Sequence, residues 1–200
     1  MNILCWNCQG LGNPWTVQGL KGMLSLNFPS LVFLCETKCS VVEMSKIKFQ
    51  LGWRNVFAVP CSFVPRKGGK GVSRAGGIAL LWNDSVPVAL NSYSSNHIDV
   101  LVGASTDPKR WRFTGFYGQP KVTDRHQSWS LLKLLSQKSQ LPWLMGGDFN
   151  EILESHEKEG GQARCARQMI DFREAVQFCS LSNIHAMGPR FTWRGMRGGY

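Results

Sequence analysis

The sequence predicts a mixed α/β fold whose core is built from two sheets. Short apolar runs of strand length recur along the chain between turn signals, and several are continuous rather than alternating. Continuous runs are typical of strands covered by helices or by a second sheet. Four stretches with helical spacing interrupt them, so the order is β-α-β-α, a long series of strands, and then α-β-α. A chain of 200 residues has room for one domain, which we assign to residues 1–200.

Eight apolar runs are predicted as strands because aliphatic, β-branched and aromatic residues lie between Gly, Pro, Asn or Ser signals. In chain order they are Ile3–Trp6, Leu31–Cys35, Val56–Val59, Ile78–Trp82, Val86–Leu90, Ile98–Val102, Trp111–Phe116 and Trp143–Met145. Four segments are predicted as helices, namely Val17–Leu26, Val42–Leu51, Gln127–Gln137 and Gln168–Leu181. The last has the clearest apolar stripe, with spacings of three and four between Met169, Phe172, Val176 and Cys179.

One segment, Pro60–Gly77, is rich in glycine and carries basic residues without an acidic one. Its basic residues are Arg66, Lys67, Lys70 and Arg74. Glycine and proline at this density predict a flexible basic loop. Such a loop is either merely solvated or contacts the phosphate backbone of a nucleic acid, and the pattern leaves both interpretations open.

The charge balance indicates a polyanionic partner. Lys and Arg number 23 and Asp and Glu 13, which gives a net charge of +10, and the excess is spread over both halves of the chain. A positive field over a whole domain favours nucleic acid or another phosphorylated ligand, although solubility alone also explains it.

Cysteine usage and the absence of targeting signals bear on the compartment. The seven cysteines show no spacing typical of a secreted disulfide framework, so we expect thiols in a reducing compartment. A zinc site at Cys5-x-x-Cys8 and Cys35-x₃-Cys39 is an alternative, but Cys5 and Cys8 point to opposite faces of a strand. No signal peptide and no apolar run near the ~20 residues of a membrane span are found. We therefore expect a nuclear or cytoplasmic protein without a membrane contact.

Polar residues follow the apolar strands repeatedly. Asn7, Glu36 and Tyr117 each end such a run, and Asp148 and Asn150 follow Trp143–Met145 and two glycines. In extended backbone Asp148 and Asn150 project together while Phe149 turns into the core. Glu36 and Asp148 suit Mg²⁺, which prefers carboxylate oxygens together with water and phosphate. A basic protein with such a site is a candidate for phosphodiester hydrolysis. The alternative is that these residues only cap a turn and open a loop.

The same residues carry a resemblance that extends from Met1 to the end of the chain. They stand in Trp-Asn-Cys-Gln-Gly around Asn7, Glu-Thr-Lys at 36–38, Gly-Phe-Tyr-Gly around Tyr117, Gly-Asp-Phe-Asn at 147–150 and Phe-Thr-Trp at 191–193. These motifs, in this order and spacing, resemble the endonuclease/exonuclease/phosphatase superfamily. Within it, the sequence is most similar to the endonuclease domain of plant LINE-type retrotransposon polyproteins, which the phrase Gly-Gly-Ile-Ala-Leu-Leu-Trp at 76–82 supports.

The resemblance implies a fold and a role for each matched residue. The fold would be a four-layered α/β sandwich of two packed mixed sheets flanked by helices. The reaction would be Mg²⁺-dependent cleavage of DNA by an activated water, with Mn²⁺ as a substitute metal, in a monomer. Glu36 matches a metal ligand with Asn7 beside it, and Tyr117 a contact to the scissile phosphate. Asp148 matches the residue that orients or deprotonates water, Asn150 the amide that holds the phosphate, and Thr192 a supporting substrate contact.

The sequence departs from the family pattern at its end. The family continues with Leu-Asp-Arg and Ser-Asp-His, and neither occurs here, since no histidine follows an aspartate. We therefore expect a domain that is incomplete at its C-terminus, without its last strands and its Asp–His pair. Loss of a proton-transfer group costs about 10²–10⁴ in rate. The alternatives to an active nuclease are a catalytically inert retroelement remnant that at most binds nucleic acid, and a phosphatase of phosphorylated lipids or small molecules.

Overall fold

Ten strands and four α-helices form the regular structure of the described residues, which are 1–66, 69, 71–184, 187, 188, 191 and 192 of a computed structural model. Contacts within the chain divide it into two units. The first unit comprises Met1–Gly118 and Gln140–Phe149, and the second comprises Gln119–Ser139 and Asn150–Tyr200. The assignment of residues 1–200 to one domain stays a prediction.

The first unit contains all ten strands and two of the helices. In chain order its elements are β1 (Ile3–Asn7), α1 (Pro14–Asn27), β2 (Leu31–Cys35), α2 (Val41–Gln50), β3 (Asn55–Val59), β4 (Ser62–Pro65), β5 (Val72–Ala75), β6 (Ile78–Trp82), β7 (Val88–Ser94), β8 (His97–Val102), β9 (Trp111–Tyr117) and β10 (Trp143–Asp148). The second unit contains α3 (Arg125–Ser136), α4 (Ala166–Phe178) and short 3₁₀ turns at Val122–Asp124 and Ser155–Glu157.

Two mixed sheets form the centre of the first unit. Sheet A has the strand order β1-β2-β6-β3 and sheet B the order β10-β9-β8-β7. Each sheet has one parallel pair at an edge, β1 with β2 and β10 with β9, and its remaining pairs are antiparallel. The parallel pairs end in register, Asn7 opposite Cys35 and Asp148 opposite Tyr117. Each sheet therefore presents two carboxyl ends side by side.

The sheets pack face to face through one apolar cluster. Its members from sheet A include Phe33 and Leu80, and those from sheet B include Val100 and Phe113, all at most 1% exposed. A second cluster covers the other face of sheet A, where α1 and α2 contribute Leu20, Leu24, Met44 and Ile47. Burying both faces of β2 explains its continuous apolar run.

Local signals start the two helices of the first unit. The Asn13 side chain accepts from Trp15 N and Pro14 occupies the first turn of α1, where its missing N–H costs nothing. In α2, Ser40 and Glu43 form a reciprocal capping box. Within the described part of the chain, no helix is both long and apolar enough to cross a membrane.

The predicted fold class is confirmed, since the described residues form two mixed sheets and four helices. The bounds of β2 and β6 match the prediction. The other six predicted strands differ from it, β1, β3, β8 and β9 by one residue at one end and β7 and β10 by more. β7 begins after Pro87 and extends to Ser94, because its polar residues pair with β8. β10 continues to Asp148, because parallel pairing with β9 carries it past the two glycines.

The segment predicted as a flexible basic loop contains an antiparallel hairpin. β4 and β5 pair from Ser62 opposite Ala75 to Pro65 opposite Val72. Arg66 N donates to Gly71 O at 3.1 Å at the end of this ladder. The prediction of loop structure at 62–65 and 72–75 is therefore wrong, because cross-strand backbone pairing outweighs the low strand propensity of this segment.

Candidate functional site

Four of the predicted site residues meet at the carboxyl ends of four strands. Asn7, Tyr117 and Asp148 are the last residues of β1, β9 and β10, and Glu36 follows β2 directly. Asn7 Nδ2 donates to Glu36 Oε1 at 3.2 Å and to Asp148 Oδ2 at 2.7 Å. The Tyr117 hydroxyl donates to Glu36 Oε1 at 3.0 Å. We call these four residues the strand-end cluster.

Glu36 is held in an unfavourable backbone conformation. Its φ is 52° and that of Lys38 is 53°, a left-handed region that non-glycine residues adopt at a cost. Thr37 N donates to Gly77 O and Lys38 N to Gly76 O, both at 3.0 Å. Gly77 has a φ of +83°, and a Cβ there would lie 2.6 Å from Thr37 Oγ1. The glycine pair before β6 therefore allows the close approach that keeps Glu36 at the end of β2.

Asp148 is positioned by backbone contacts between β10 and β9. Gly147 has a φ of +144°, and a Cβ there would lie 2.0 Å from Phe116 O. The carbonyl of Asp148 accepts from Gly118 N at 2.8 Å. Phe149 then stacks on the buried ring of Phe116 with 5.1 Å between centroids, as predicted for a residue that turns into the core.

The predicted extended backbone from Asp148 to Asn150 is wrong. β10 ends at Asp148, and Asn150 has a φ of 55°, in the left-handed region that Asn tolerates better than most residues. The alternation of a strand therefore does not apply to this pair. Asn150 belongs to the second unit, where its carbonyl accepts from Arg164 Nη2 at 3.5 Å.

The amide of Asn7 has a defined orientation. Its Oδ1 accepts from Gln9 N at 3.2 Å, so its NH₂ group is the part that faces both carboxylates. Asn7 thus acts as a hydrogen-bond bridge here. To present an oxygen to a metal, the amide has to turn about its Cβ–Cγ bond, so its predicted role as a ligand stays a prediction.

Tyr117 is a protonated hydrogen-bond donor. The residue is 6% exposed, and burial, followed by the negative charge of Glu36 and the hydrogen bond to it, raises the pKa of its phenol. The phenol therefore stays neutral in the physiological range, and its O–H remains available to a negatively charged oxygen.

Lys38 also lies beside the cluster, although it is not among the predicted site residues. Its Nζ is 3.8 Å from Glu36 Oε2 and donates to Gln9 O at 3.2 Å. Its position two residues after Glu36 was the available signal. Asn96, which binds the backbone of Tyr117, lies in a polar turn and carries no comparable sequence signal.

The chemistry of the cluster fits Mg²⁺. Two carboxylates share one amide donor, and like charges held this close are stabilised by a cation. All polar atoms that the four residues can offer to a metal are hard oxygens, which Mg²⁺ prefers. Among the described residues no group of three or more His, Cys, Asp or Glu is arranged to hold a metal. The ion would therefore depend on one or two carboxylates, with water and substrate oxygens completing its coordination.

The cysteines near the cluster are neutral thiols. All seven cysteines, each within the described residues, are free. Burial raises the pKa of Cys5 and of Cys8 to about 12 and raises that of Cys35 as well. Among the described residues no group of three or more His, Cys, Asp or Glu could hold a metal, which favours the thiol interpretation over the zinc site.

The other predicted substrate contacts are not among the four residues of the strand-end cluster. Thr192 is exposed and belongs to the second unit. Arg66 is exposed at the end of β4. Lys67 and Lys70 lie outside the described residues. Their predicted contacts with substrate stay predictions.

Arg74 on β5 has protein partners. Its Nη1 bonds both carboxylate oxygens of Glu43, at 2.8 and 2.9 Å, and the carbonyl of Lys38 at 3.2 Å. The backbone N–H of Ser40, together with Arg74, lowers the pKa of Glu43 to about 2. Arg74 thus ties the hairpin to α2 and to the loop that carries Glu36, and its predicted substrate contact also stays a prediction.

Comparison with known proteins identifies one family by sequence and several solved structures with a similar fold. A sequence model of the endonuclease/exonuclease/phosphatase family matches residues 4–193. No protein with curated annotation matches the sequence significantly.

Three solved structures illustrate the fold similarity. The 3′–5′ exonuclease NExo from Neisseria meningitidis has a TM-score of 0.60 and 16% identity, covering 89% of this chain and 71% of that chain. An AP endonuclease from Archaeoglobus fulgidus has a TM-score of 0.57 and 16% identity, with coverages of 90% and 70%. The endonuclease domain of TRAS1, a telomere-specific non-LTR retrotransposon, has a TM-score of 0.56 and 14% identity, with coverages of 88% and 69%. At these identities the similarity shows the fold alone.

Proposed function

The chain belongs to the endonuclease/exonuclease/phosphatase family, and we propose that it is a Mg²⁺-dependent endonuclease that cleaves DNA. The family consists of metal-dependent phosphodiester hydrolases. The observation that carries the proposal is the strand-end cluster, in which two carboxylates, one amide and one phenol are joined by hydrogen bonds. Hydrolysis of a phosphate ester needs carboxylates that hold a metal and, beside them, a neutral hydrogen-bond donor for the anionic phosphate.

Glu36 would be the main metal ligand, with Asn7 as a second oxygen donor after rotation of its amide and the negative charge of Asp148 beside it. When bound, Mg²⁺ reduces the negative charge of the phosphate and so stabilises the transition state. Mn²⁺, which also accepts carboxylate oxygens, would substitute for it.

The protein residues would bind the phosphate and move one proton. Asp148 accepts a proton from water as the water oxygen forms a bond to phosphorus. The bond from phosphorus to the leaving nucleotide oxygen breaks, and that oxygen takes up a proton from solvent. Tyr117, whose raised phenol pKa keeps its proton, donates to the phosphate oxygens. Asn150 is proposed to hold the phosphate through its side-chain amide.

DNA is the proposed substrate because of charge and of likeness to nucleases. The net charge of +10 favours a polyanion. We propose Arg66, Lys67, Lys70 and Arg74 of the hairpin segment, and Thr192, as contacts to the DNA backbone. The similarity to a retrotransposon endonuclease domain supports the finer proposal of a LINE-type element. Plant origin is proposed from the sequence motifs alone. Nuclear or cytoplasmic location and a monomeric state belong to the same proposal.

The test is nicking of supercoiled plasmid with Mg²⁺, with Mn²⁺ and with EDTA. We expect nicking in both metals, none in EDTA, and a loss of about 10²-fold or more for Glu36→Gln. The matched control is Glu154→Gln, since the Glu154 side chain is 54% exposed, and it should cleave like the wild type. Nicking that persists in EDTA, or equal loss in both variants, would contradict the proposed site.

Two other outcomes would replace the proposal with its alternatives. DNA binding that weakens steeply with salt, without nicking in either metal, would support an inert nucleic-acid-binding remnant. Release of phosphate from inositol phosphates, with plasmid left intact, would support a phosphatase. Both assays use the same protein preparation and the same metals, so each result bears directly on the DNA endonuclease proposal.

A further inference from the structure

Asn96, in the turn between β7 and β8, holds the backbone of Tyr117 at two points. Tyr117 N donates to Asn96 O at 2.7 Å. The Asn96 Nδ2 donates to Tyr117 O, also at 2.7 Å, across 21 positions of sequence. Both the N–H and the C=O of Tyr117 are therefore bound by a single residue.

The turn itself orients the Asn96 side chain. Ser95 Oγ donates to Asn96 Oδ1 at 3.0 Å, and Asn96 N donates to Ser94 Oγ at 3.1 Å. Because Oδ1 accepts from Ser95, the NH₂ group is the part that faces Tyr117. An aspartate of the same size could not make this contact, since it has no N–H to donate.

The sheet explains why Tyr117 needs this support. The ladder of β8 and β9 ends with His97 opposite Phe116, so no residue of β8 lies opposite Tyr117. The Asn96 carbonyl and side chain take the place of that missing strand residue. On its other side Tyr117 pairs with Asp148 of β10. A buried carbonyl left without its donor carries a desolvation cost, which the Asn96 amide removes.

We infer that Asn96 is a positioning residue that sets the Tyr117 hydroxyl against Glu36 and the phosphate. The inference rests on the proposed function. Asn96 touches the backbone of Tyr117 and acts through it. A hydroxyl displaced by the order of 1 Å can lower a rate about 10²-fold, even when the altered residue lies away from the chemistry.

The first test is a double-mutant cycle in the plasmid-nicking assay. Asn96→Ala is expected to lower kcat about 10- to 100-fold with little change in KM. In a Tyr117→Phe background the same substitution is expected to cost less than about threefold, because the hydroxyl through which Asn96 acts is gone. An equal loss in both backgrounds would overturn the inference.

Asn83→Ala is the matched control. The Asn83 amide also donates to a backbone carbonyl, that of Pro29, at 3.3 Å. It follows β6, whose end pairs with the start of β2 and so lies at the opposite end of sheet A from Glu36. We expect kcat to stay at the wild-type value in this variant. If Asn96→Ala fails to fold, Asn96→Asp removes the same donor without changing side-chain size.

The second test does not depend on activity. Protein labelled with ring-¹³C tyrosine gives a Tyr117 signal that is assigned by its loss in Tyr117→Phe. Asn96→Asp is expected to shift that signal and to reduce the response of the signal to Glu36→Gln, whereas Asn83→Ala leaves it in place. An unshifted signal in Asn96→Asp overturns the inference. A wild-type protein that does not nick DNA contradicts the proposed function, and this measurement still decides whether Asn96 positions Tyr117.

Discussion

The strand-end cluster of the first unit and the Glu151 site of the second unit neutralise their carboxylates in different ways. The Glu151 side chain is fully buried, with Arg125 Nη1 at 2.8 Å and Arg164 Nε at 3.5 Å from its oxygens. The Glu36 side chain is 23% exposed, and its hydrogen-bond donors are the neutral groups of Asn7 and Tyr117. The Nζ of Lys38, a cation beside Glu36, is 3.8 Å from Glu36 Oε2.

This difference shows which carboxylates can serve a metal. Two arginines supply Glu151 with full countercharge, so it stabilises the fold and offers little to a further cation. Asp99 is the corresponding case in the first unit, since it is buried and bonds Arg112 Nε at 2.7 Å. In the strand-end cluster neutral donors orient the carboxylates, and Asp148 adds a second negative charge beside Glu36. Among the described residues, a carboxylate oriented by neutral donors, as Glu36 is, is therefore a better metal-site candidate than one paired with arginine.

Asp148→Asn should have the largest effect, which is on activity. We expect plasmid nicking to fall about 10²–10⁴-fold, because the amide cannot accept the proton from water. The control Asp84→Asn changes an exposed residue that pairs with Arg54, and its nicking rate should equal that of the wild type. Unchanged nicking by Asp148→Asn would show that the cluster is not the catalytic site.

Glu151→Ala should act on stability instead. Removing it leaves the buried Arg125 without its ion-pair partner, and we expect the free energy of unfolding to fall by about 3–5 kcal/mol. Urea denaturation measures this change. In contrast, Glu36→Gln should stay within about 1 kcal/mol of the wild type, because it relieves repulsion with Asp148 and loses only a long, partly exposed ion pair with Lys38. If the two variants lose equal stability, the contrast between the two regions is wrong.

Mg²⁺ should stabilise the folded protein through the cluster. At a concentration one hundred times its dissociation constant, we expect a gain of about 2.7 kcal/mol in the free energy of unfolding. Thermal denaturation with and without Mg²⁺ detects the gain as a rise in melting temperature. Glu36→Gln should lose most of the rise and Glu154→Gln should retain it. A rise in melting temperature that persists in Glu36→Gln would show that the metal binds at another site.

Glu43→Gln should have the smallest effect on the free energy of unfolding, because Glu43 is an exposed carboxylate paired with Arg74. Its pKa in the folded protein is lowered from 4.5 to about 2, first by the Ser40 N–H and then by Arg74. Because the folded pKa is depressed, its stabilisation is present above pH 4.5 and is lost as the pH falls from 4.5 towards 2. We expect the charge of Glu43 to contribute less than about 1 kcal/mol to the free energy of unfolding, since solvent screens its pair with Arg74.

The measurement is the free energy of unfolding of the wild type and of Glu43→Gln from pH 7 to pH 3. The difference between them should shrink as the pH falls. A difference that stays constant over this range would show that the charge of Glu43 contributes nothing to stability.

The amino-acid sequence by itself determined the fold class, most element positions and the residues to consider for catalysis. β2 and β6 could be bounded correctly because each is an unbroken apolar run between polar residues. Glu36 stood out because it directly follows such a run, and Asp148 because it follows an apolar run and two glycines. Both inferences use local pattern, which records which side chains are buried and where a strand ends.

The tertiary structure alone decided which of these residues meet and what each one bonds. Asn7 and Asp148 are 141 positions apart, and only the packing of sheet A on sheet B joins them. Arg74 pairs with Glu43 across 31 positions of sequence, and Asn96 supports Tyr117 across 21. The Asn7 amide faces carboxylates that are 29 and 141 positions away. Local sequence patterns do not encode such partners, because hydrogen bonds and ion pairs between distant residues form only after the chain has folded.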